Sequence, residues 1–136
     1  MQEITMKAVI DNIPAVTEFI DAQLEAVDCP MKAQMQIDVA IDEIFSNIAH
    51  YAYPDGTGDA TVRFEYDPKA GEATVCFRDR GVPYNSLDKS DPDVTLPAVE
   101  RAVGGLGIFL VKKLMDRITY DYVDGMNVLS IIKKIT

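Results

Sequence analysis

Glu43 and Asn47 stand four residues apart inside the most regular apolar pattern of the chain. On a helix, that spacing places two side chains on one side, a turn apart. A carboxylate so placed can act as a base toward water or a hydroxyl, and an amide oxygen can complete the shell of a hard cation such as Mg²⁺. Taken alone, the pair equally describes an ordinary solvated helix flank. The second candidate is Asp79, which continues the odd-numbered face of Ala73, Val75 and Phe77 in an alternating run. A carboxylate directed toward an apolar layer needs a partner, because an unpaired buried charge is costly. The exocyclic amine of a purine is a donor that meets this need. Gly81 and Pro83, just beyond, suit a backbone turning sharply beside a ligand, although a strand-end Asp also commonly caps a turn. The third candidate is Gly104-Gly105-Leu106-Gly107 ahead of an apolar helix. Glycines admit close backbone approach, and a helix N-terminus offers free N–H groups to phosphates. No Gly-Lys-Ser/Thr follows, so this is not a Walker motif. What precedes it is polar and proline-broken rather than a strand, which excludes a dinucleotide fingerprint.

Positioning these residues requires a particular set of elements. Gln2 to Val9 reads as a short strand. Asp11 or Asn12 caps a helix with Pro14 in its first turn, carrying Val16, Phe19, Ile20, Leu24 and Val27 inward until Asp28-Cys29-Pro30. A second helix, Met31 to Ala52, has the apolar stripe Ile37, Ala40, Ile41, Ile44, Phe45 and Ile48. At about 100° per residue, Asp42 and Ser46 face away from this stripe, while Glu43 and Asn47 border it beside Ala40 and Ile44. His50 lies near the Glu43 face, where ordering a pocket and simple packing are both open. Val62, Phe64 and Tyr66 share one face of a strand, and Ala73, Val75 and Phe77 share one face of the next, joined through Pro68 to Gly71. An irregular segment follows Asp79, then a helix through Ile108, Leu110, Val111, Leu114 and Met115. Strands Ile118–Val123 and Met126–Ile135 flank Asp124-Gly125, a strong hairpin signal. The order β-α-α-β-β-loop-α-β-β predicts an α+β two-layer sandwich: a mostly antiparallel mixed sheet covered on one face by three helices.

Bulk properties narrow the function. A chain of 136 residues with 48% apolar content fits one domain, residues 1–136, with its own core. A net charge of −9 argues against a nucleic-acid partner, which clustered Lys and Arg would serve. A small phosphate ligand stays compatible, because amides, helix N-termini and a cation can hold it. No apolar run approaches the roughly 20 residues that span a bilayer, and no membrane association is expected. Cys29 and Cys76 match no metal or redox spacing, which predicts reduced thiols and a cytoplasmic location.

In combination, Asp42-Glu43-Ile44-Phe45-Ser46-Asn47-Ile48-Ala49-His50-Tyr51, Asp79-Arg80-Gly81-Val82-Pro83 and Gly104-Gly105-Leu106-Gly107-Ile108-Phe109-Leu110-Val111 resemble the N, G1 and G2 boxes of the GHKL ATPases. The resemblance is to the anti-sigma-factor serine/threonine protein kinase branch, and extends to Asp11-Asn12-Ile13-Pro14-Ala15-Val16 and Tyr122-Val123-Asp124-Gly125-Met126-Asn127-Val128-Leu129. It implies a Bergerat ATP-binding fold, with Glu43 as general base and Asn47 holding Mg²⁺. Asp79 would recognise the adenine amine in a pocket shaped by Gly81. Gly105, Leu106 and Gly107 would lie at the phosphates, under a mobile ATP lid at about 87–103 in which Lys89 or Arg101 meets a phosphate. Val82-Pro83 stands where many members of the superfamily have a second glycine. The implied activity is ATP-dependent phosphorylation of a serine on an anti-sigma-factor antagonist, controlling a sigma factor by partner switching, with a possible homodimer. Two other readings stay open: a non-catalytic ATP-binding anti-sigma module, and a detached histidine-kinase ATP-binding domain.

Overall fold

The computed structural model describes residues 1–88 and 105–136. Strands β1 (Gln2–Lys7), β2 (Asp59–Asp67), β3 (Glu72–Asp79), β4 (Arg117–Val123) and β5 (Met126–Lys134) form one sheet, in the order β1-β2-β3-β5-β4. Every pairing among the described residues is antiparallel. Helices α1 (Ile13–Ala26), α2 (Met31–Tyr51) and α3 (Gly105–Leu114) complete the α+β architecture expected from the element order.

The core forms where the two periodicities meet. Val16, Ile20 and Leu24 of α1, Ile37, Ile41 and Phe45 of α2, and Ile108 and Val111 of α3 pack against Val62, Val75, Phe77 and Ile131 of the sheet. Phe45 and Phe77 are the largest of the fully enclosed side chains, and each such burial contributes about 1.5–3 kcal/mol. The alternation of β3 is strict: Ala73, Val75, Phe77 and Asp79 are buried, and the residues between them are half-exposed. Asp79 is therefore the last member of an apolar row, as its parity predicts.

Turn chemistry fixes the register. Asp124 and Gly125 both have positive φ, 54° and 77°, the signature of the tight hairpin turn that this dipeptide favours. Asp28 also enters the left-handed region (φ 57°). It lets the Cys29 N–H donate back to the Leu24 carbonyl at 3.0 Å, which closes α1 ahead of Pro30. The start of α1 differs from expectation. A 3₁₀ turn, Ile10–Asn12, leads into the helix, and Asn12 makes no side-chain cap. Its amide donates instead to the Lys7 carbonyl at 2.8 Å, tying the helix entrance to β1.

One acidic pair spans the α1–α2 seam. Asp21 and Asp38 each have an Oδ1 that is buried without a hydrogen-bond partner among the described residues. Two carboxylates cannot bond to one another, but a pair sharing one proton can. Accordingly, burial first, then the hydrogen bond to Asp21 and its charge, push the Asp38 carboxyl up to about 8. Burial and the same two acids also raise the Cys29 thiol.

Candidate functional site

The end of the sheet beside α2 holds a polar row within the apolar layer. Asp79 of β3 lies directly opposite Asn127 of β5 in the antiparallel register, and both side chains are buried. Oδ1 of Asp79 accepts from Asn127 Nδ2 and from the Gly81 N–H, both at 2.9 Å. Asn127 Nδ2 also donates to the Val82 carbonyl at 2.8 Å, while its Oδ1 accepts from the Tyr84 N–H at 3.1 Å and from the Tyr120 hydroxyl. A carboxamide offers two donors and two acceptor sites, so Asn127 is fully used. Burial raises the Asp79 carboxyl above its ordinary range, and the bonds from Asn127 and Gly81 act in the opposite direction. An ionised Asp79 is thus an acceptor presented by a rigid frame.

The segment after Asp79 is anchored to the end of α2. Ala52 caps that helix, and its carbonyl accepts from the Val82 N–H at 2.8 Å. A Cβ added at Gly81 would overlap this carbonyl, so only glycine permits the approach. Tyr53 fastens the other side of the turn: its hydroxyl donates to the Asp59 carbonyl at 2.6 Å and accepts from the Arg80 N–H at 3.0 Å. Tyr51 stacks on Tyr84 with ring centroids 4.9 Å apart.

These contacts surround a cavity lined by Ile44, Asn47, Phe77, Asp79, Tyr84 and Asn127, among others, with about 360 Å³ of empty space that is partly open to solvent. Apolar walls with a few convergent polar groups are typical of small-ligand sites. Asn47 is buried, and its amide nitrogen has no hydrogen-bond partner among the described residues. Buried polar atoms in proteins are nearly always bonded, so an amide N–H left this way beside a cavity fits a ligand that supplies an acceptor. The Asn47 oxygen is the hard donor that Mg²⁺ takes.

The sequence-predicted residues separate into two groups. Asn47 and Asp79 line one cavity, and Gly81 holds Asp79 through its backbone. Glu43, one turn before Asn47, is half-buried and meets the first turn of α3: a Cβ at Gly107 would overlap its carboxylate. Gly105 and Leu106 open α3. Lys89, Arg101, Gly104 and nearly all of the proposed lid lie outside the described residues. His50 does not face the cavity; its Nδ1 bonds to the Ser46 carbonyl at 2.8 Å, and the ring is exposed. Asn127, Tyr84 and Tyr120 are the site residues not anticipated from sequence. Asn127 was detectable: counting by twos from the core residues Leu129 and Ile131 places an amide on the inward face.

A family model described as a histidine kinase-like ATPase domain matches residues 6–133. Serine-protein kinase RsbW of Bacillus mycoides (strain KBAB4) is 34% identical over 95 residues, covering 67% of this chain and 58% of that protein. The proteins of the same name from Bacillus cereus strains B4264 and ATCC 10987 / NRS 248 are 34% and 32% identical with the same coverage. The chain thus matches rather more than half the length of these relatives.

Proposed function

Since the chain belongs to the histidine kinase-like ATPase domain family, we propose that it is an anti-sigma regulatory factor that binds Mg-ATP and phosphorylates a serine on an anti-sigma-factor antagonist. The observation that carries the nucleotide site is the pairing, in one cavity, of the buried Asn47 carboxamide with the framed Asp79 carboxylate. In this reading Asp79 accepts from the adenine amine, and the apolar side chains of Ile44 and Phe77 enclose the base. Asn47 would hold Mg²⁺, which supplies charge neutralisation for the phosphates when bound. Glu43 would accept the proton of the substrate serine as its oxygen attacks the γ-phosphorus, the bond from that phosphorus to the bridging oxygen breaking to release ADP. Gly105, Leu106 and Gly107 border the phosphates at the start of α3, where free N–H groups favour anions. The proposal also covers one domain over 1–136, an ATP lid at about 87–103, a sigma factor as second partner, and a cytoplasmic setting. The serine-kinase activity is supported by the name these relatives share, and the partner kinds rest on the motif resemblance alone.

Radiolabelled ATP incubated with candidate antagonist proteins tests the reading. Wild type should transfer label to serine, and Glu43→Ala should bind ATP while losing most of the transfer. Equal transfer by both would remove Glu43 from its assigned role. A second reading has one observation in its favour: Glu43 packs against Gly107 and does not line the cavity with Asp79. It makes the chain an ATP-binding anti-sigma module without catalysis, and predicts tight ATP binding with no label transferred.

A further inference from the structure

We propose that Gly107 is a positioning residue whose missing side chain makes the seat for the Glu43 carboxylate, so that α3 and the proposed base act as one unit. This rests on the assignment of Glu43 above, but on a different observation. An added Cβ at Gly107 would overlap Cδ, Oε1 and Oε2 of Glu43. The atoms in the way are the reactive end of the side chain, not its stem. Gly107 lies inside α3, where glycine weakens a helix relative to alanine. Its φ is not in the left-handed region, so backbone conformation does not demand glycine there. What demands it is space for the carboxylate. Read from sequence, the glycine admits phosphates; the neighbour that this structure gives it is a side chain of the protein.

A methyl group at 107 therefore acts by eviction. Glu43 is a flexible side chain and half-buried, so it yields by rotating away, and the fold survives with the carboxylate misplaced. A misplacement of about 1 Å can cost about 100-fold in rate.

The test uses G107A, E43A, E43D/G107A and E43A/G107A with the full chain. For G107A, the expected results are a melting temperature near that of wild type and phosphoryl transfer slowed about tenfold or more. The ¹³C carboxyl resonance of Glu43 should move toward that of a solvent-exposed glutamate. Shortening the side chain in E43D/G107A relieves the overlap and should recover part of the transfer lost in G107A. Adding G107A to E43A should slow transfer no further, because the seat is already empty. If G107A fails to fold, normal folding of E43A/G107A supports the seat, and failure of both overturns it. An unmoved Glu43 resonance, or a tenfold loss of ATP affinity with unchanged transfer rate, would also overturn it. The resonance requires neither ATP nor a protein substrate, so it decides the seat even where the kinase reading fails.

Discussion

Replacing Asn127 with Asp changes one atom of the side chain and reverses half of its hydrogen bonding. Nδ2 donates to Asp79 Oδ1 at 2.9 Å and to the Val82 carbonyl at 2.8 Å; in N127D an acceptor oxygen faces both. The Val82 carbonyl is left unsatisfied, and Asp79 keeps only its bond from Gly81. Leaving a buried group unpaired costs about 1–3 kcal/mol, and the two carboxyls now oppose each other across adjacent strands. A loss of about 3–5 kcal/mol follows, to be set against total stabilities of about 5–15 kcal/mol. For a chain of 136 residues, that lowers the melting temperature by about 10–15 °C. The deficit should depend on pH. A protonated carboxyl at 127 regains one donor, and two close carboxyls share a proton readily, so the deficit is smaller at acidic pH and grows as the pH rises and that proton is lost. Thermal unfolding followed by circular dichroism, on both proteins at matched pH, measures it. A deficit below about 1 kcal/mol, or one flat across the pH range, would refute the frame described for Asp79.

The raised carboxyl of Asp79 sets a pH limit on nucleotide binding. In the proposed role the carboxylate accepts from the adenine amine through a charge-assisted bond that protonation weakens, so affinity should hold at neutral pH and fall as the pH drops through a value raised above that of a free carboxyl. Calorimetric titration reads this directly, and D79N should weaken ATP binding about 10- to 100-fold at pH 7 through loss of a charge-assisted bond; unchanged affinity would remove Asp79 from base recognition. Asp38 gives a stability signature of the opposite sense to the usual acid. Its carboxyl is raised from 3.8 to about 8, so the folded state retains a proton that the unfolded state releases. Its contribution is fully present below about pH 4 and is lost as the pH rises through about 8. D38N, whose amide donates to Asp21 at any pH, should flatten that decline in melting temperature, and parallel curves for the two proteins would count against the shared proton.

Which parts of the molecule could be read from sequence depends on whether local periodicity decides them. Asp79 falls on the buried face because its strand alternates strictly, and the α2 stripe places Asn47 at its edge for the same reason. Both signals survive folding because the core enforces them. The frame around Asp79 is different in kind. It requires β5 to lie beside β3 with Asn127 opposite Asp79, a register that the sheet order determines and no short window contains. The Asp21–Asp38 pair likewise depends on how two helices pack. At His50 and Asn12, correct placement on an element did not fix the partner: each side chain found a nearby backbone carbonyl instead.

Helix α2 carries both ends of the site. Glu43 meets Gly107 near its middle, and at its end the Ala52 carbonyl accepts from the Val82 N–H while Gly81 packs against it. At 1.5 Å per residue, the two contacts are about 13 Å apart along the axis, and each residue turns the helix by about 100°. One residue inserted between 43 and 52 would swing Glu43 off α3 while the Asp79 end stayed in place. The count of residues along this stretch thus works as a ruler, setting the phase of one half of the candidate site against the other.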